Sequence, residues 1–436
     1  MLISFRSFRA SGVVVTTLAA LLAASVSGCT AEHGIPAASS PTAPGQAGRT
    51  PDAKPRPPRQ DGSPGDILVA GRPVTGSKRS GIAKAPFKRT YTEGELYAAV
   101  TGYRSLAFGA DQLEFLLADD IEAGKDVATT IDPAVQRAAY DGLRGRRGAA
   151  IVLDARTGDI LGQVSTPSYD PGTFSGNSVA DQRAWGRLTG DGDKPLSNRA
   201  LRLVDNPGSA IHVLVAAAAL EKGLLPSVDT PTRSPAVYAA PGSTTRFSGD
   251  PAHCTDATLR AALRYGCANV FARIASDLGA DALASTAQKF GFNNDTLDTP
   301  VRAFESTWPR KPGNPTRLAL MANGLFEVKS TPVQMAMVMA VLANGGNRVH
   351  PHLVTGSGTV VPAQRVVTRR TADQLRSALG DSFATWVPSA SAVWALSATR
   401  TSAGRPVAIA VYLSASADAT SQAGKVAERI SAATRK

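Results

Sequence analysis

Two pairs of alternating apolar runs, one early and one at the end of the chain, constrain the fold most. "GAAIVLDARTGDILGQVSTPSYDP", starting at Gly148, reads as a β-hairpin whose runs are joined by Ala155-Arg156-Thr157-Gly158. "SAVWALSATRTSAGRPVAIAVYLSAS" reads as a second strand pair, followed by a final basic helix. Helical patterns dominate between them: "DATLRAALRYG", "ANVFARIASDLGADALASTAQKFGF" and "STPVQMAMVMAVLANGG". A chain with helices set between early and late strands closes by bringing its ends into one sheet. The expected fold class is therefore α+β, a central antiparallel sheet flanked by helices. No internal repeat is present.

A smaller ordered region precedes this sheet. "PGDILVAGRPVTG" alternates apolar residues with glycine turns and reads as strands, and "RTYTEGELYAAVTGYRSLAFGADQLEFLL" as strand, then helix. In "DVATTIDPAVQRAAYDGLRGRRG" a strand precedes a helix, with Asp132 as its N-cap and Pro133 at its first position. Tyr91, Tyr97 and Tyr103 read as packing residues of this small domain rather than a carbohydrate platform. "TWPRKPGNP", from Trp308 to Pro315, reads as a loop with solvated charges.

The N-terminus sets the compartment. Arg6 and Arg9 form a positive region, and "GVVVTTLAALLAASVSG" is an apolar run short for a membrane span. It ends in Val26-Ser27-Gly28-Cys29, small residues before a cysteine, which resembles a bacterial lipobox. Cleavage before Cys29 and acylation of its thiol would anchor the chain in a membrane. The alternative is an ordinary secretory signal with an incidental cysteine. From Thr30 onward the chain is rich in Pro, Ala, Gly, Ser and charge, without apolar period. It reads as a disordered tether that, at about 3.1 Å per residue, reaches on the order of 100 Å. The expected organisation is signal peptide 1–29, tether 30–64, small domain 65–145 and main domain 146–436.

Composition narrows the partners. A chain of 436 residues that is 43% hydrophobic can bury a large core. A net charge of +12 suits an anionic membrane surface or an acidic wall polymer. No Lys/Arg block is interleaved with aromatics, so nucleic acid is not expected. Cys254 and Cys267 lie on the oxidising side of a membrane, where a disulfide or two buried thiols are both open readings. His253-Cys254 and His350-Pro351-His352 give no recognisable metal-ligand spacing.

"NPGSAIHVLVAAAALEKGL", Asn206 to Leu224, is a turn feeding a buried helix. Ser209 stands at its mouth with His212 one turn on. Ser209 can be a nucleophile, or an N-cap whose oxygen accepts from the backbone two or three residues ahead. His212 can be a base, since imidazole titrates in a suitable range, or a polar residue tolerated in a cleft that no longer works.

"ATTIDPAVQRAA", "GAAIVLDARTGDILGQVSTPSYDP", "DKPLSNRALRLVDNPGS" and "STPVQMAMVMAVLANGG", in this order and spacing, resemble a class B penicillin-binding protein, a D,D-transpeptidase of peptidoglycan synthesis. The resemblance runs from about Gly65 to the end of the chain. It implies the penicillin-binding transpeptidase (serine β-lactamase-like) fold with a small N-terminal domain. Such enzymes place S-x-x-K, S-x-N and K-T-G motifs around one cleft. Here the first reads Ser209-Ala210-Ile211-His212, so the lysine is replaced. The second, aligned through "LRYGCANVF", reads Gly266-Cys267-Ala268, without hydroxyl or amide. Asn269 stands one position late, which turns a helical side chain by about 100°. The third should precede the last strand pair, where "GDSFATWVPSA" stands instead. Arg156-Thr157-Gly158 is the hairpin turn and no substitute.

The lipobox-like start and this resemblance together imply a lipid-anchored, extracytoplasmic protein of wall synthesis with a dismantled active site. Peptidoglycan, its stem peptides or wall-synthesis proteins are the implied partners, and no cofactor is implied. A divergent acyl-serine transpeptidase or carboxypeptidase using Ser209 and His212 is the alternative. A scaffold without ligand binding is the third reading.

Overall fold

The computed structural model describes residues 62–356, 363–380, 382–386 and 392–436. Cys29, the signal region and nearly all of the tether lie outside the described residues. The small N-terminal region opens with β1 (Ile67–Val69), β2 (Arg72–Pro73), β3 (Thr75–Ile82), β4 (Ala85–Tyr91) and α1 (Gly94–Thr101). It continues through β5 (Val127–Thr129) to α2 (Pro133–Leu143). β1 pairs antiparallel with β2 and parallel with β5, while β3 and β4 form their own hairpin. Arg89, fully enclosed, donates from Nε to Glu114 at 2.8 Å and so neutralises a second buried charge. Asp132 caps α2 by accepting from the backbone of Ala134 and Val135, with Pro133 at the first position. Tyr97 is buried, and Tyr103 packs edge-on against Tyr169, Phe174 and Trp185.

The main sheet begins with β6 (Gly148–Asp154) and β7 (Ile160–Thr166), the hairpin legible in the sequence. Asp154 Oδ1 accepts from the backbone of Arg156 and Thr157 and shapes the turn between them. The helical insert then includes α3 (His212–Glu221), α4 (Leu259–Tyr265), α5 (Ala268–Leu278), α6 (Ala280–Phe290), α7 (Pro315–Ala322), α8 (Pro332–Ala343) and α9 (Arg369–Leu379). The chain returns through β8 (Ser382–Trp386), β9 (Ala392–Arg400) and β10 (Pro406–Ser414) and ends in α10 (Ala419–Ala433). The five strands lie in the order β8-β9-β10-β6-β7, all antiparallel. The first and last strands thus meet in the middle, as β6 pairs with β10 from Gly148↔Leu413 to Asp154↔Val407.

Layering follows from apolar content. β6 and most of β9 and β10 are buried along their length because α8 covers one face and α2 with α10 the other. Strands covered on both faces need continuous Val/Ile/Leu/Ala runs rather than strict alternation. α8 is buried at every position, capped by Thr331 with Pro332 at its first residue. Burying such a helix between sheet and insert gains about 25 cal/mol per Å² of apolar surface. α3 is buried from His212 through Ala219 and is the helix around which α4, α5, α6 and α9 gather. Trp308 is buried while Arg310 and Lys311 of the same loop are exposed.

Candidate functional site

The turn that carries Ser209 is fixed from several sides. The backbones of Asp205 and Ser330 exchange two hydrogen bonds, at 3.1 and 2.8 Å. Asn206 donates to the carbonyls of Phe326 and Val328, and its own carbonyl accepts from Trp394 Nε1 at 3.1 Å. Lys329 Nζ donates to Asn206 Oδ1 at 2.9 Å, and the Tyr412 hydroxyl donates to Asp205 at 3.0 Å. Gly208 N–H donates to Gly324 O at 3.1 Å. The two glycines lie back to back: a Cβ on Gly324 (φ +65°) would stand 2.2 Å from Gly208 O. Only glycine allows that approach and that dihedral together.

Ser209 lies in a 3₁₀ turn, Gly208–Ile211, which runs directly into α3 beside β8 and β9. It is half-buried. The capping role open in the sequence is corrected here: Ser209 makes no side-chain cap bond to either the turn or the helix. A cap residue needs extended backbone so that its oxygen reaches forward. Pro207 (φ −75°, ψ −15°) and Ile211 (φ −72°, ψ −16°) are already helical, so no extended residue marks the start.

His212 does not face Ser209 through a hydrogen bond. Its ring is 2% exposed and stacked on Phe271, with centroids 3.7 Å apart. Nε2 donates to Asn323 Oδ1 at 3.0 Å. That tautomer follows from the network, because Asn323 Nδ2 is committed as donor to Ala319 O and Ala268 O. Nδ1 is buried without a hydrogen-bond partner among the described residues. Burial pushes the imidazole pKa down to about 3, against the opposing effect of the Asn323 bond. His212 is neutral at physiological pH, and roughly a thousandfold poorer as a proton acceptor than a free imidazole.

The second motif position sits beside the serine. A Cβ on Gly266 would lie 3.8 Å from Ser209 Oγ, so the residue facing the hydroxyl there carries no side chain. Gly266 ends α4 in the left-handed region (φ 64°, ψ 42°), which suits glycine. Ala268 opens α5 and offers only its carbonyl, to Asn323. Asn269 is buried, and its Nδ2 donates at 2.8 Å to both Pro235 O and Cys254 O, so it serves the fold. Cys254 and Cys267 form a disulfide with Cα atoms 5.3 Å apart. Cys254 closes the short helix Pro251–Cys254, and residues 255–258 turn the chain from it into α4, at whose far end Cys267 follows Gly266. The bridge anchors the residue that follows Gly266.

At the third position the backbone forms strand β8, the outer neighbour of β9 in register Ser382↔Ser397 to Trp386↔Val393. The sequence reading found no strand there. The Arg156-Thr157-Gly158 turn lies instead against His350 and His352, where a Cβ on Gly158 would meet His350 O at 2.1 Å. His352 pairs with Asp159 at 2.7 Å, and His253 with Asp250 at 2.6 Å, each apart from the other. Phe271 and Asn323 were not among the sequence candidates, although they decide the state of His212. Among the described residues no helix is long and apolar enough to cross a membrane.

The family profile of the penicillin binding protein transpeptidase domain matches residues 148–430, and that of the penicillin binding protein A dimerisation domain matches residues 64–145. The chain belongs to the penicillin-binding protein transpeptidase family. The peptidoglycan D,D-transpeptidase PbpA of Mycobacterium tuberculosis H37Rv is 34% identical over 301 residues, 62% of this chain and 60% of that protein. MrdA of Escherichia coli K12, also a peptidoglycan D,D-transpeptidase, is 32% identical over 245 residues, 53% of this chain and 38% of that protein. The chain therefore spans 60% or less of the length of these relatives. The crystal structure of PBPA from M. tuberculosis superposes with a TM-score of 0.76 at 29% identity, covering 85% of this chain and 99% of that one. Its imipenem acyl-enzyme complex gives a TM-score of 0.77 at 27% identity, with 85% and 98% covered.

Proposed function

We propose that this chain serves peptidoglycan synthesis without catalysis. It is a lipid-anchored, extracytoplasmic pseudo-transpeptidase whose cleft engages wall precursors, their stem peptides or partner proteins. The observation that carries this reading is the burial of His212, bonded to Asn323 and stacked on Phe271 rather than placed on Ser209. Acyl transfer from a peptide or β-lactam needs a base for the serine hydroxyl. A buried imidazole that burial makes weakly basic, with Nε2 bonded to Asn323 and no hydrogen bond to Ser209, does not supply one. Gly266 gives no relay hydroxyl, and Ala268 no amide to hold the substrate. These groups act as a unit, so their losses are not summed, yet each one is worth about two to four orders of magnitude in rate.

The M. tuberculosis relative forms acyl-enzymes with imipenem and penicillin G. In this chain the same cleft is read as a binding surface. Val26-Ser27-Gly28-Cys29 supports the anchor, and metabolic labelling with a fatty acid tests it: an unlabelled mature protein would remove that element. Co-sedimentation with purified peptidoglycan tests the ligand. Retention of the wild type, competed by soluble stem peptide, is the expected result. Absence of retention, with a partner protein still captured, would favour the scaffold reading.

A further inference from the structure

The site around Ser209 meets strand β9 near Trp394. Toward the other end of the same strand, at Ala398, Thr399 and Arg400, the structure holds a separate cavity of about 510 Å³. Five residues of strand separate Trp394 from Thr399, roughly 16 Å at 3.3 Å per residue. The wall is completed by Asp373, Arg376 and Ser377 of α9, by Pro406 of β10 and by Arg435 just beyond α10.

Charge around this cavity is unbalanced. Three guanidiniums, Arg376, Arg400 and Arg435, line it with a single carboxylate, Asp373. Asp373 is already engaged, by Arg376 at 3.0 Å and by Arg369 at 3.7 Å. The other two are held in place by neutral acceptors. Arg400 donates to Gly404 O at 2.9 Å, across the turn between β9 and β10. Arg435 donates to Ser431 Oγ at 2.9 Å and Thr399 Oγ1 at 3.2 Å. Among the described residues neither forms an ion pair. Their forks are therefore oriented without being neutralised, and each keeps further N–H donors for a ligand.

We propose that this cavity binds a phosphate-ester anion, as borne by a soluble phosphosugar or polyol phosphate, or by a lipid headgroup. Several guanidinium forks lining one cavity match the several oxygens of a phosphate, whereas a carboxylate is satisfied by one fork. A concave wall with excess positive charge concentrates anions. The volume lies in the range of small-molecule sites and leaves room for the ester substituent. This inference is independent of the state of Ser209.

The test uses the full chain, with glycerol 3-phosphate as the soluble probe and phosphatidylglycerol vesicles, against phosphatidylcholine vesicles, as the membrane probe. Arginine side-chain NMR shifts and co-sedimentation report the two. Saturable, salt-sensitive binding of at least one probe is expected, and the arm that binds identifies the source. Arg400→Ala/Arg435→Ala should weaken it by about tenfold or more. Arg400→Lys/Arg435→Lys, which keeps the charge but removes the forks, should fall between. Arg183→Ala/Arg187→Ala on the exposed helix Val179–Gly190 removes equal charge elsewhere and should leave binding unchanged. Absence of binding to both probes would overturn the proposal. So would equal losses in the cavity and control variants.

Discussion

Strand β6 and helix α8 on one side, and the wall behind Ser209 on the other, use buried side chains to different ends. In the sheet, Ile151, Val152 and Leu153 pack between helices and hold no polar atom in need of a partner. Behind Ser209, a histidine and two asparagines are also buried, each tied to a protein partner: His212 to Asn323, Asn323 to two backbone carbonyls, Asn269 to two more. Three polar side chains near Ser209 are thereby committed to the fold. A fold asks only for burial, pairing and turns. Acyl transfer asks for particular atoms around the serine, and Gly266 and Ala268 carry neither hydroxyl nor amide there.

That contrast can be broken by disturbing the wall behind Ser209. Phe271→Ala removes a fully buried ring from the face of His212 and should cost about 3–5 kcal/mol, read from the denaturant midpoint. A loss under 1 kcal/mol would mean that the region is not core. Replacing Cys254 and Cys267 by alanine should cost about 2–4 kcal/mol, because the bridge closes a short loop beside Gly266. Gly324→Ala should cost roughly 2–3 kcal/mol, since its Cβ meets Gly208 O and its φ is positive. Unchanged stability there would show that the two turns are not locked together.

The smallest effect sharpens the comparison through pH. The folded-state pKa of His212 lies near 3, below its unfolded value of about 6.5. Its imidazole therefore takes up a proton on unfolding. The stability it contributes is complete above pH 6.5 and falls as pH is lowered toward 3, by at most about 1.4 kcal/mol per pH unit. Between pH 6.5 and 5 the loss should approach 2 kcal/mol in the wild type. His212→Leu should flatten that slope. An equal slope in the variant would place the histidine in solvent.

Much of the architecture was legible because it rests on local pattern. The hairpin turn at Asp154–Gly158, the Asp132-Pro133 helix start and the apolar run of α8 each carry their own signal. β8 was not legible: Ser-Phe-Ala-Thr-Trp is short, and its place is set by pairing with β9. The turn that leads into the serine was also hidden, because Pro207 is helical and Gly208 takes a positive φ of 54° where a cap would need extension. The fate of His212 depends on Asn323, 111 residues away, and on Phe271 of α5, stacked against its ring. Asn323 sits at the C-terminal end of α7, a common place for asparagine, so nothing local marked it as a partner.

The central claim is that Ser209 has no working base, and intact-mass measurement after prolonged incubation with penicillin G tests it most directly. The M. tuberculosis relative, whose penicillin G acyl-enzyme structure resembles this chain with a TM-score of 0.75, is the positive control. This chain should keep an unmodified mass under conditions that acylate the control fully. A stoichiometric adduct mapped to Ser209, absent in Ser209→Ala and lost in His212→Ala, would contradict it and make the histidine the replacement base.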